Sequence, residues 1–366
     1  MEIIHIILGK ANPDRLNGVN KVVYNMATEQ TKAGMNVEVW GITPDPTHDY
    51  PARNFTTRLF EAHQNPFSID RNLKLAILAK EDAVFHLHGG WIPRFSALAT
   101  LMQEYDIKYV FTPHGAYNTV AMQRSSWAKK IYFYLFEKKL LSGARKIHAI
   151  GESEVSGLNQ IFPNQKSFLL PYGFEYSEHS VFHVTKNIDF TLGFVGRLDV
   201  YTKGLDLLVS AFERFQYKVP TAKLWIVGDG EGKDFLSQLI ATKNIRGITL
   251  WGKKFGAEKD MLISKMHVFA HPSRNEGLPT AVLEAASFGV PAIVTQATNV
   301  AAYVQKYDCG VGIANENVDE LERAMLELHA NHKGERYHQL GHNCETMLKQ
   351  AFAWPVLVQQ YKELYA

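Results

Sequence analysis

The segment from Met266 to Thr295 constrains the fold more than any other part of the chain. The apolar run 266–270 predicts a short strand, and Val290–Thr295 predicts the next one. Between them, a turn at Gly277–Thr280 leads into helix-forming residues, and the proline at position 279 predicts that the helix begins there. A strand–turn–helix–strand order predicts a parallel sheet with this turn at its carboxyl edge, where such sheets bind ligands.

Two carboxylates stand on either side of this turn, Glu276 before it and Glu284 about one turn into the helix. The amides of Gly277, Leu278 and Thr280 would face an anion at the positive end of the helix dipole. Glu284 could then chelate a ribose diol, and Glu276 could reach a sugar ring beyond the phosphates. A capped amphipathic surface helix would carry the same residues, so the pair alone favours that plainer interpretation.

A loop with two cations follows an earlier predicted strand. That strand ends at Gly196, Arg197 and Lys203 lie on the loop, and a helix is predicted from about Gly204. Two cations on one loop suit a pyrophosphate, because they offset the negative charge that grows on a departing diphosphate. A solvated turn with two surface cations is the alternative interpretation.

Two more glycine turns follow predicted strands in the same half of the chain. The apolar run 224–227 ends at Gly228, and the run 248–252 leads to Lys254 and Phe255. Each pattern is weak alone. The four patterns are stronger evidence of function together than singly, because they occur in order within one half of the chain.

The N-terminal half has the same organisation. The near-continuous apolar run 3–8 predicts a strand buried on both faces. A helical pattern opens at Asn17-Gly18, where glycine would let the backbone come close to a phosphate. His88 and His114 are each followed by glycine at the end of a strand-like run. Although a single histidine is more often structural, this repetition makes His114 a candidate functional residue.

Together these segments resemble the signature of retaining glycosyltransferases of family 4, in which two glutamates separated by seven residues flank a Gly-Leu-Pro-type turn. The resemblance covers nearly the whole chain and implies the GT-B fold. This is an α/β fold with two doubly wound Rossmann-like domains facing a cleft and a C-terminal helix that crosses back to the first domain. The implied domains are an acceptor-side domain at 1–173, a nucleotide-sugar-binding domain at 174–351 and the helix at 352–366.

The resemblance also implies roles for individual residues. Arg197 and Lys203 would neutralise the departing diphosphate, Glu276 would orient the sugar hydroxyls, and His114 would line the reacting face. A larger group would hold the nucleotide sugar: Gly18, Gly196, Gly228, Lys254, Phe255, Gly277, Leu278, Pro279, Thr280 and Glu284.

No Asp-x-Asp triplet occurs in the sequence, so neither a cofactor nor a metal-bridged donor is predicted. The expected donor is a UDP-sugar, with GDP-mannose second. The expected acceptor is a saccharide or lipid-linked saccharide of a bacterial surface polysaccharide, such as O-antigen, capsule or lipopolysaccharide. A GT-B sugar phosphorylase and a non-catalytic nucleotide-sugar-binding protein are the alternatives. An NAD-dependent dehydrogenase is disfavoured, because no Gly-x-Gly-x-x-Gly follows the first strand.

The composition of the chain bears on its number of domains, its partners and its location. The 366 residues suffice for two sizeable domains, and a net charge of +2 argues against a nucleic acid as the main partner. The two cysteines predict no disulfide framework. The sequence shows neither a signal peptide nor an apolar run of membrane-spanning length, so a cytoplasmic protein is expected.

One stretch is strongly basic. Between Arg124 and Lys146 there are seven basic residues and a single acid, Glu137, with aromatic and aliphatic residues interleaved. A basic helix with aromatic residues can lie on an anionic membrane surface, here the inner face of the cell membrane. A partly buried helix with a solvated basic edge is the alternative.

Overall fold

The computed structural model describes residues 1–13, 18–117, 127–175 and 186–366. Two residues of the predicted segments, Asn17 and Arg124, lie outside these ranges. The chain divides into two compact units, one made of residues 1–173 and 354–366 and the other of residues 174–353. Within the described ranges, no helix has both the length and the apolar character needed to cross a membrane.

The first unit is built on a parallel sheet. Its described strands are β1 (Glu2–Leu8), β2 (Asn36–Thr43), β3 (Thr56–Glu61), β4 (Ala83–His88), β5 (Tyr109–Thr112), β6 (Ile147–Ala149) and β7 (Ser167–Leu169). Their order across the sheet is β3-β2-β1-β4-β5-β6-β7. The order reverses between β1 and β4, so the sheet is doubly wound. The centre of β1 is fully buried, as expected for a strand covered on both faces.

Helices alternate with these strands. They are α1 (Gly18–Lys32), α2 (Arg71–Leu78), α3 (Pro93–Glu104), α4 (Trp127–Tyr132), α5 (Lys138–Gly143) and α6 (Glu152–Ile161). The C-terminal helix, Trp354–Tyr365, belongs to the same unit. Its apolar face is buried at three- and four-residue spacing, and a Cβ placed on Gly173 would lie 2.2 Å from the Trp354 ring. The helix therefore packs closely on the first unit.

The basic stretch is helical over its described residues 127–143, as the sequence predicted, but it contains one irregular turn. A π-helical turn, Phe133–Glu137, separates α4 from α5. One side of the segment is buried and contains Phe133, Glu137, Leu140 and Leu141. The other side is exposed and contains Trp127, Ile131, Tyr134 and Leu135. The segment thus has a face in the core and a separate exposed aromatic face.

The second unit repeats the architecture. Its described strands are β8 (Thr191–Val195), β9 (Lys223–Val227), β10 (Ile248–Gly252), β11 (Val268–His271), β12 (Ala292–Thr295) and β13 (Gly310–Ile313). All described pairs are parallel, in the order β10-β9-β8-β11-β12-β13. The order reverses between β8 and β11, which makes these two strands the switch point of the sheet.

Its helices are α7 (Val200–Lys203), α8 (Leu205–Lys218), α9 (Lys233–Thr242), α10 (Gly256–Lys265), α11 (Thr280–Ser287), α12 (Ala301–Lys306), α13 (Val318–Asn331) and α14 (Glu335–Met347), and a π-helical turn at Leu348–Phe352 precedes the C-terminal helix α15. The helix after the Gly-Leu-Pro turn starts at Thr280, one residue later than predicted. Pro279 occupies the cap position, because its ψ of 101° is extended.

Candidate active site

The strands at the switch point of the second sheet place two predicted loops side by side. Strand β8 pairs directly with β11, with Leu192 opposite Val268. The loop after β8 leads to Lys203 at the end of α7, and the loop after β11 carries Glu276. The carboxyl ends of adjacent parallel strands meet at one edge, so these two side chains approach each other there.

Arg274 fastens these two loops together. Its guanidinium donates two hydrogen bonds of 2.8 Å to the Asp206 carboxylate at the start of α8, and a third of 2.8 Å to the Tyr201 carbonyl oxygen. Gly204 adopts a φ of +65°, and a Cβ at this position would lie 2.0 Å from the Pro272 carbonyl oxygen. The bidentate pair and this close backbone contact fix where Lys203 is presented.

Lys203 and Glu276 form a hydrogen-bonded ion pair in which both side chains are largely buried. The Nε2 atom of His271 lies 3.6 Å from the same carboxylate oxygen. Burial by itself would raise the pKa of Glu276, but the adjacent His271 ring and the charge of Lys203 lower it to about 2. Glu276 is therefore an ionised carboxylate held next to a cation.

The second predicted glutamate also has a partner. Glu284 accepts a hydrogen bond of 2.8 Å from Lys259 of α10, which the sequence analysis did not identify. At the start of α11, the amides of Gly277, Leu278 and Thr280 donate no hydrogen bond to any described residue. These amides lie at the positive end of the helix dipole, and the binding of an anion there stays a prediction from the sequence.

The remaining predicted residues of this unit lie on three loops. Arg197 is 73 % exposed and 3.9 Å from Asp199. A Cβ on Gly228, whose φ is +149°, would lie 1.8 Å from the Gly196 carbonyl oxygen, so the loops after β8 and β9 touch through their backbones.

The third of these loops follows β10. The Lys254 ammonium lies 3.4 Å from Glu258. Phe255 is 62 % exposed, and the Lys253 ammonium lies 5.0 Å from the centre of its ring. An exposed aromatic ring of this kind can stack against another aromatic ring.

The two predicted residues of the first unit have different surroundings. Gly18 begins α1, and a Cβ added to it would meet nothing within 4 Å. His114 has a left-handed backbone with φ of +56°, and its ring Nε2 lies 3.0 Å from Nδ1 of His88. Its Nδ1 is hydrogen-bonded to the Tyr172 hydroxyl, and burial lowers the pKa of His114 to about 3. Both ring nitrogens of this candidate are therefore engaged inside the unit.

His114 lies near one end of a long buried hydrogen-bond chain that was not predicted from the sequence. His88, which also precedes a glycine at the end of a strand-like run, is 1 % exposed and bonded through Nε2 to His5 at 2.9 Å. The chain runs through Tyr172, His114, His88, His5, Gln30, Tyr365, His86, Thr112, His148 and the Leu170 carbonyl oxygen.

The Leu170 carbonyl fixes the direction of every proton in this chain. A carbonyl oxygen only accepts, so Nε2 of His148 must donate to it at 2.7 Å. The neutral ring then accepts from the Thr112 hydroxyl, which accepts from Nε2 of His86. The same reasoning carries through to Tyr172, and each of the five histidines is a neutral ring with its proton on Nε2. Burial, the dominant cause, lowers the pKa of all five.

A buried carboxyl group supports the backbone next to His114. Glu154, at the start of α6, accepts a hydrogen bond of 2.6 Å from the Gly115 amide and one of 3.1 Å from the Ile150 amide. Burial raises the pKa of Glu154 to about 7, although these backbone hydrogen bonds lower it. The contact ties the His114-Gly115 turn to α6.

Comparison with known proteins identifies the family. The family model described as "Glycosyltransferase Family 4" matches residues 16–177, and the one described as "Glycosyl transferases group 1" matches residues 177–347. The chain belongs to glycosyltransferase family 4. The predictions of this family and of an enzyme of the glycosyltransferase (hexosyltransferase) class are confirmed.

Among its relatives, O-antigen chain mannosyltransferase C of Escherichia coli is 23 % identical over 100 % of this chain and 98 % of its own length. Among solved structures, sucrose-phosphate synthase of Thermosynechococcus elongatus has a TM-score of 0.78 at 19 % identity, covering 100 % of this chain and 98 % of that one. Anabaena HepE, solved in complex with UDP, has a TM-score of 0.73 at 14 % identity, with 99 % of each chain covered. These likenesses confirm the predicted GT-B fold.

Proposed function

We propose that this family 4 glycosyltransferase moves a sugar from a nucleotide diphosphate sugar to a saccharide or lipid-linked saccharide, with retention at the anomeric carbon. The bond from the anomeric carbon to the diphosphate breaks, and the acceptor hydroxyl oxygen forms the new bond on the same face. The acceptor proton passes to the departing diphosphate oxygen. The product would belong to a bacterial surface polysaccharide.

The observation that carries this proposal is the position of Lys203 beside Glu276 at the switch point of the second sheet. A diphosphate near Lys203 and the free amides at the start of α11 would receive positive charge from both. Glu276 remains an anion at neutral pH, so it can accept hydrogen bonds from sugar hydroxyls. Glu284, half-buried on α11, can accept from a ribose diol.

The relatives support the choice of substrates. The HepE structure contains UDP, and a UDP-sugar is the first donor to test. The E. coli relative is named a mannosyltransferase acting on the O-antigen chain, which makes a mannosyl donor such as GDP-mannose the second. The acceptor in our proposal is a growing surface glycan of the same general kind.

A thermal-shift screen with UDP, GDP, ADP and their sugars tests this proposal. A ligand present at about a hundred times its dissociation constant adds about 2.7 kcal/mol of stability, which gives a clear rise in Tm. The best donor is then incubated with lipid-linked saccharides, and nucleoside diphosphate release is measured. Binding without release of diphosphate to any acceptor would favour a non-catalytic nucleotide-sugar-binding protein instead.

We expect transfer to survive EDTA. The sequence has no Asp-x-Asp triplet, and Arg197, Lys203 and the α11 amides can supply the positive charge for the diphosphate. The initial rate of diphosphate release, measured before and after chelation, should change by less than about twofold. A complete loss of rate that added magnesium restores would contradict this account of diphosphate binding.

We also propose that the exposed aromatic face of α4 and the π-turn rests on an anionic membrane. Trp127, Ile131, Tyr134 and Leu135 are exposed there. The Lys130 ammonium lies 5.6 Å from the Trp127 ring, and the Lys138 ammonium lies 5.7 Å from the Tyr134 ring. Apolar rings with adjacent cations suit the boundary between headgroups and acyl chains, at the inner face of the cell membrane.

Vesicle flotation tests this surface. The unmodified protein should bind phosphatidylglycerol vesicles weakly and be released by salt, because each basic residue near the surface contributes about 1 kcal/mol and salt screens it. Changing Lys129, Lys130, Lys138 and Lys139 to Glu should abolish binding and leave donor hydrolysis intact.

The matched control makes the same change in net charge on the second unit, through Lys218→Glu, Lys243→Glu, Lys306→Glu and Lys333→Glu. Equal loss of vesicle binding in both variants would assign the effect to net charge alone. Vesicle binding that withstands the four changes on α4 and α5 would remove this surface from the proposal.

A further inference from the structure

His271 is a buried histidine without a conventional hydrogen-bond partner. It ends β11 and is 2 % exposed. Its ring lies nearly parallel to those of Phe194, 5.5 Å away, and Phe269, 6.2 Å away. Within the described part of the chain, neither ring nitrogen makes a hydrogen bond. Such an orphaned polar group in a packed core calls for a physical reason.

The position of the Glu276 carboxylate explains why a polar ring is buried here. Nε2 of His271 lies 3.6 Å from the Glu276 carboxylate oxygen, slightly beyond hydrogen-bond distance. That same oxygen accepts the hydrogen bond from Lys203. The imidazole lies nearly parallel to both phenylalanine rings and has its Nε2 atom on the side of Glu276.

We propose that His271 is a positioning residue that holds Glu276 in place when Lys203 turns to the diphosphate of the donor. This inference rests on the proposed function of the same site.

Lys203 has two roles in this site that its single ammonium cannot fill at the same time. Its ammonium neutralises Glu276 in the present structure, and the proposed reaction needs the same ammonium at the leaving group. A largely buried carboxylate that loses its cation is destabilised unless another donor replaces it. A shift of a few tenths of an ångström brings the Nε2–H of His271 within hydrogen-bond distance of Glu276. The carboxylate then keeps both its charge and its orientation toward the sugar.

The electrostatics around His271 agree with this arrangement. Lys203 and Glu276 are the charged groups that act on the ring. Burial lowers the pKa of His271, while Glu276 raises it and Lys203 lowers it again. The pKa of His271 should therefore rise when Lys203 moves to the diphosphate. A ring that gains proton affinity at that step becomes a stronger donor to Glu276.

Two substitutions separate the hydrogen-bond donor from the packing. His271→Phe keeps an aromatic ring beside Phe194 and Phe269 but removes the donor, whereas His271→Gln keeps a donor. Partners that orient a functional side chain typically contribute tenfold to a hundredfold. We expect His271→Phe to lower kcat by that factor and to leave KM for the donor within about twofold. In His271→Gln most of kcat should return.

The pH dependence of kcat distinguishes a positioning role from a purely structural one, because a structural role would leave the pH profile unchanged. Without His271 the pKa of Glu276 rises in the donor complex, so the acid limb of the kcat profile should move to higher pH in His271→Phe. A His271→Phe variant with unchanged kcat and an unchanged acid limb would overturn the inference. If His271→Phe folds poorly, His271→Leu provides the same test, because it also lacks a donor.

A failure of the proposed function would give different results from a failure of the role proposed for His271. If the unmodified protein binds nucleotide sugars and transfers nothing, then the function itself is wrong. If Glu276→Gln abolishes transfer while His271→Phe is fully active, then only the role of His271 is wrong.

Discussion

Replacing Lys203 with alanine is expected to lower kcat by at least about a hundredfold. In the proposed reaction its ammonium neutralises charge that appears on the diphosphate only as the glycosidic bond breaks. Loss of such an interaction typically costs a factor of about 10² to 10³ in rate. Arg197→Ala should act in the same direction. Since the interaction is made mainly in the transition state, kcat and kcat/KM should fall together.

The ion pair with Glu276 requires a specific control for this measurement. Lys203→Ala also leaves a largely buried carboxylate without its cation, so the variant could lose activity by losing stability. The double variant Lys203→Met with Glu276→Gln removes both charges and keeps the volume of the pair, so it should fold normally and remain inactive. Lys243→Ala, which breaks an exposed ion pair with Glu213, should leave kcat unchanged.

Single-turnover measurements of nucleoside diphosphate release, with Tm measured in parallel, distinguish these outcomes. A near-normal rate in Lys203→Ala and Arg197→Ala would remove both residues from the leaving-group role. A low rate in Lys203→Ala that comes with a lowered Tm, where the double variant restores the Tm, would mean that unpaired charge on Glu276 destabilises the protein and contributes to the defect.

The part of the site that could be predicted from sequence is the part whose residues are close in sequence. The run from Glu276 to Glu284 contains the turn, the helix start and both carboxylates, so local patterns are enough to predict their arrangement. The strand order follows from alternating strands and helices, because right-handed crossovers leave few topologies. The sequence placed Lys203 and Glu276 in the same reaction. It did not predict their direct contact, because 73 positions separate them.

What sequence analysis missed depends on pairs distant along the chain. Lys259 and His271 carry no motif, and their partners become clear only after β8, β11 and α10 have packed. The predicted strand 266–270 stopped one residue before His271, although a polar residue at the end of an apolar strand is a usable signal. The histidine chain joins His86 to Tyr365 across 279 positions. Only the alternation of His86 and His88, which places both on one face of β4, could have indicated it.

The histidine chain should make the first unit markedly sensitive to acid. Five buried histidines are neutral in the fold, with pKa values lowered by burial to about 4 for His5 and His148, to about 3 for His114, and well below the ordinary value for His86 and His88. The unfolded chain takes up a proton at each of them near pH 6.5. Their contribution to stability is therefore complete above about pH 6.5 and is lost as the pH falls below it.

Two buried carboxyl groups in the same unit act in the opposite direction. Burial raises the pKa of Glu137 and of Glu154 to about 7, so the fold holds these protons where the unfolded chain releases them. Between about pH 6 and pH 5, the unfolded unit then binds roughly three more protons than the folded one, five from histidines less two from the acids. At about 1.4 kcal/mol per proton and pH unit, the unit should lose on the order of 3 to 4 kcal/mol over that interval.

Urea unfolding at a series of pH values tests this expectation, with hydrogen exchange in peptides from β1 and β4 reporting on the first unit alone. The most direct comparison is His148→Gln, whose amide can accept from Thr112 and donate to the Leu170 carbonyl without titrating. This variant should reduce the slope of stability with pH by about one proton, close to 1.4 kcal/mol per pH unit. The same substitution at the exposed His48 is the matched control. If His148→Gln and His48→Gln show the same slope as the unmodified protein, then the buried histidines take up protons without unfolding, and the fixed direction of the chain is wrong.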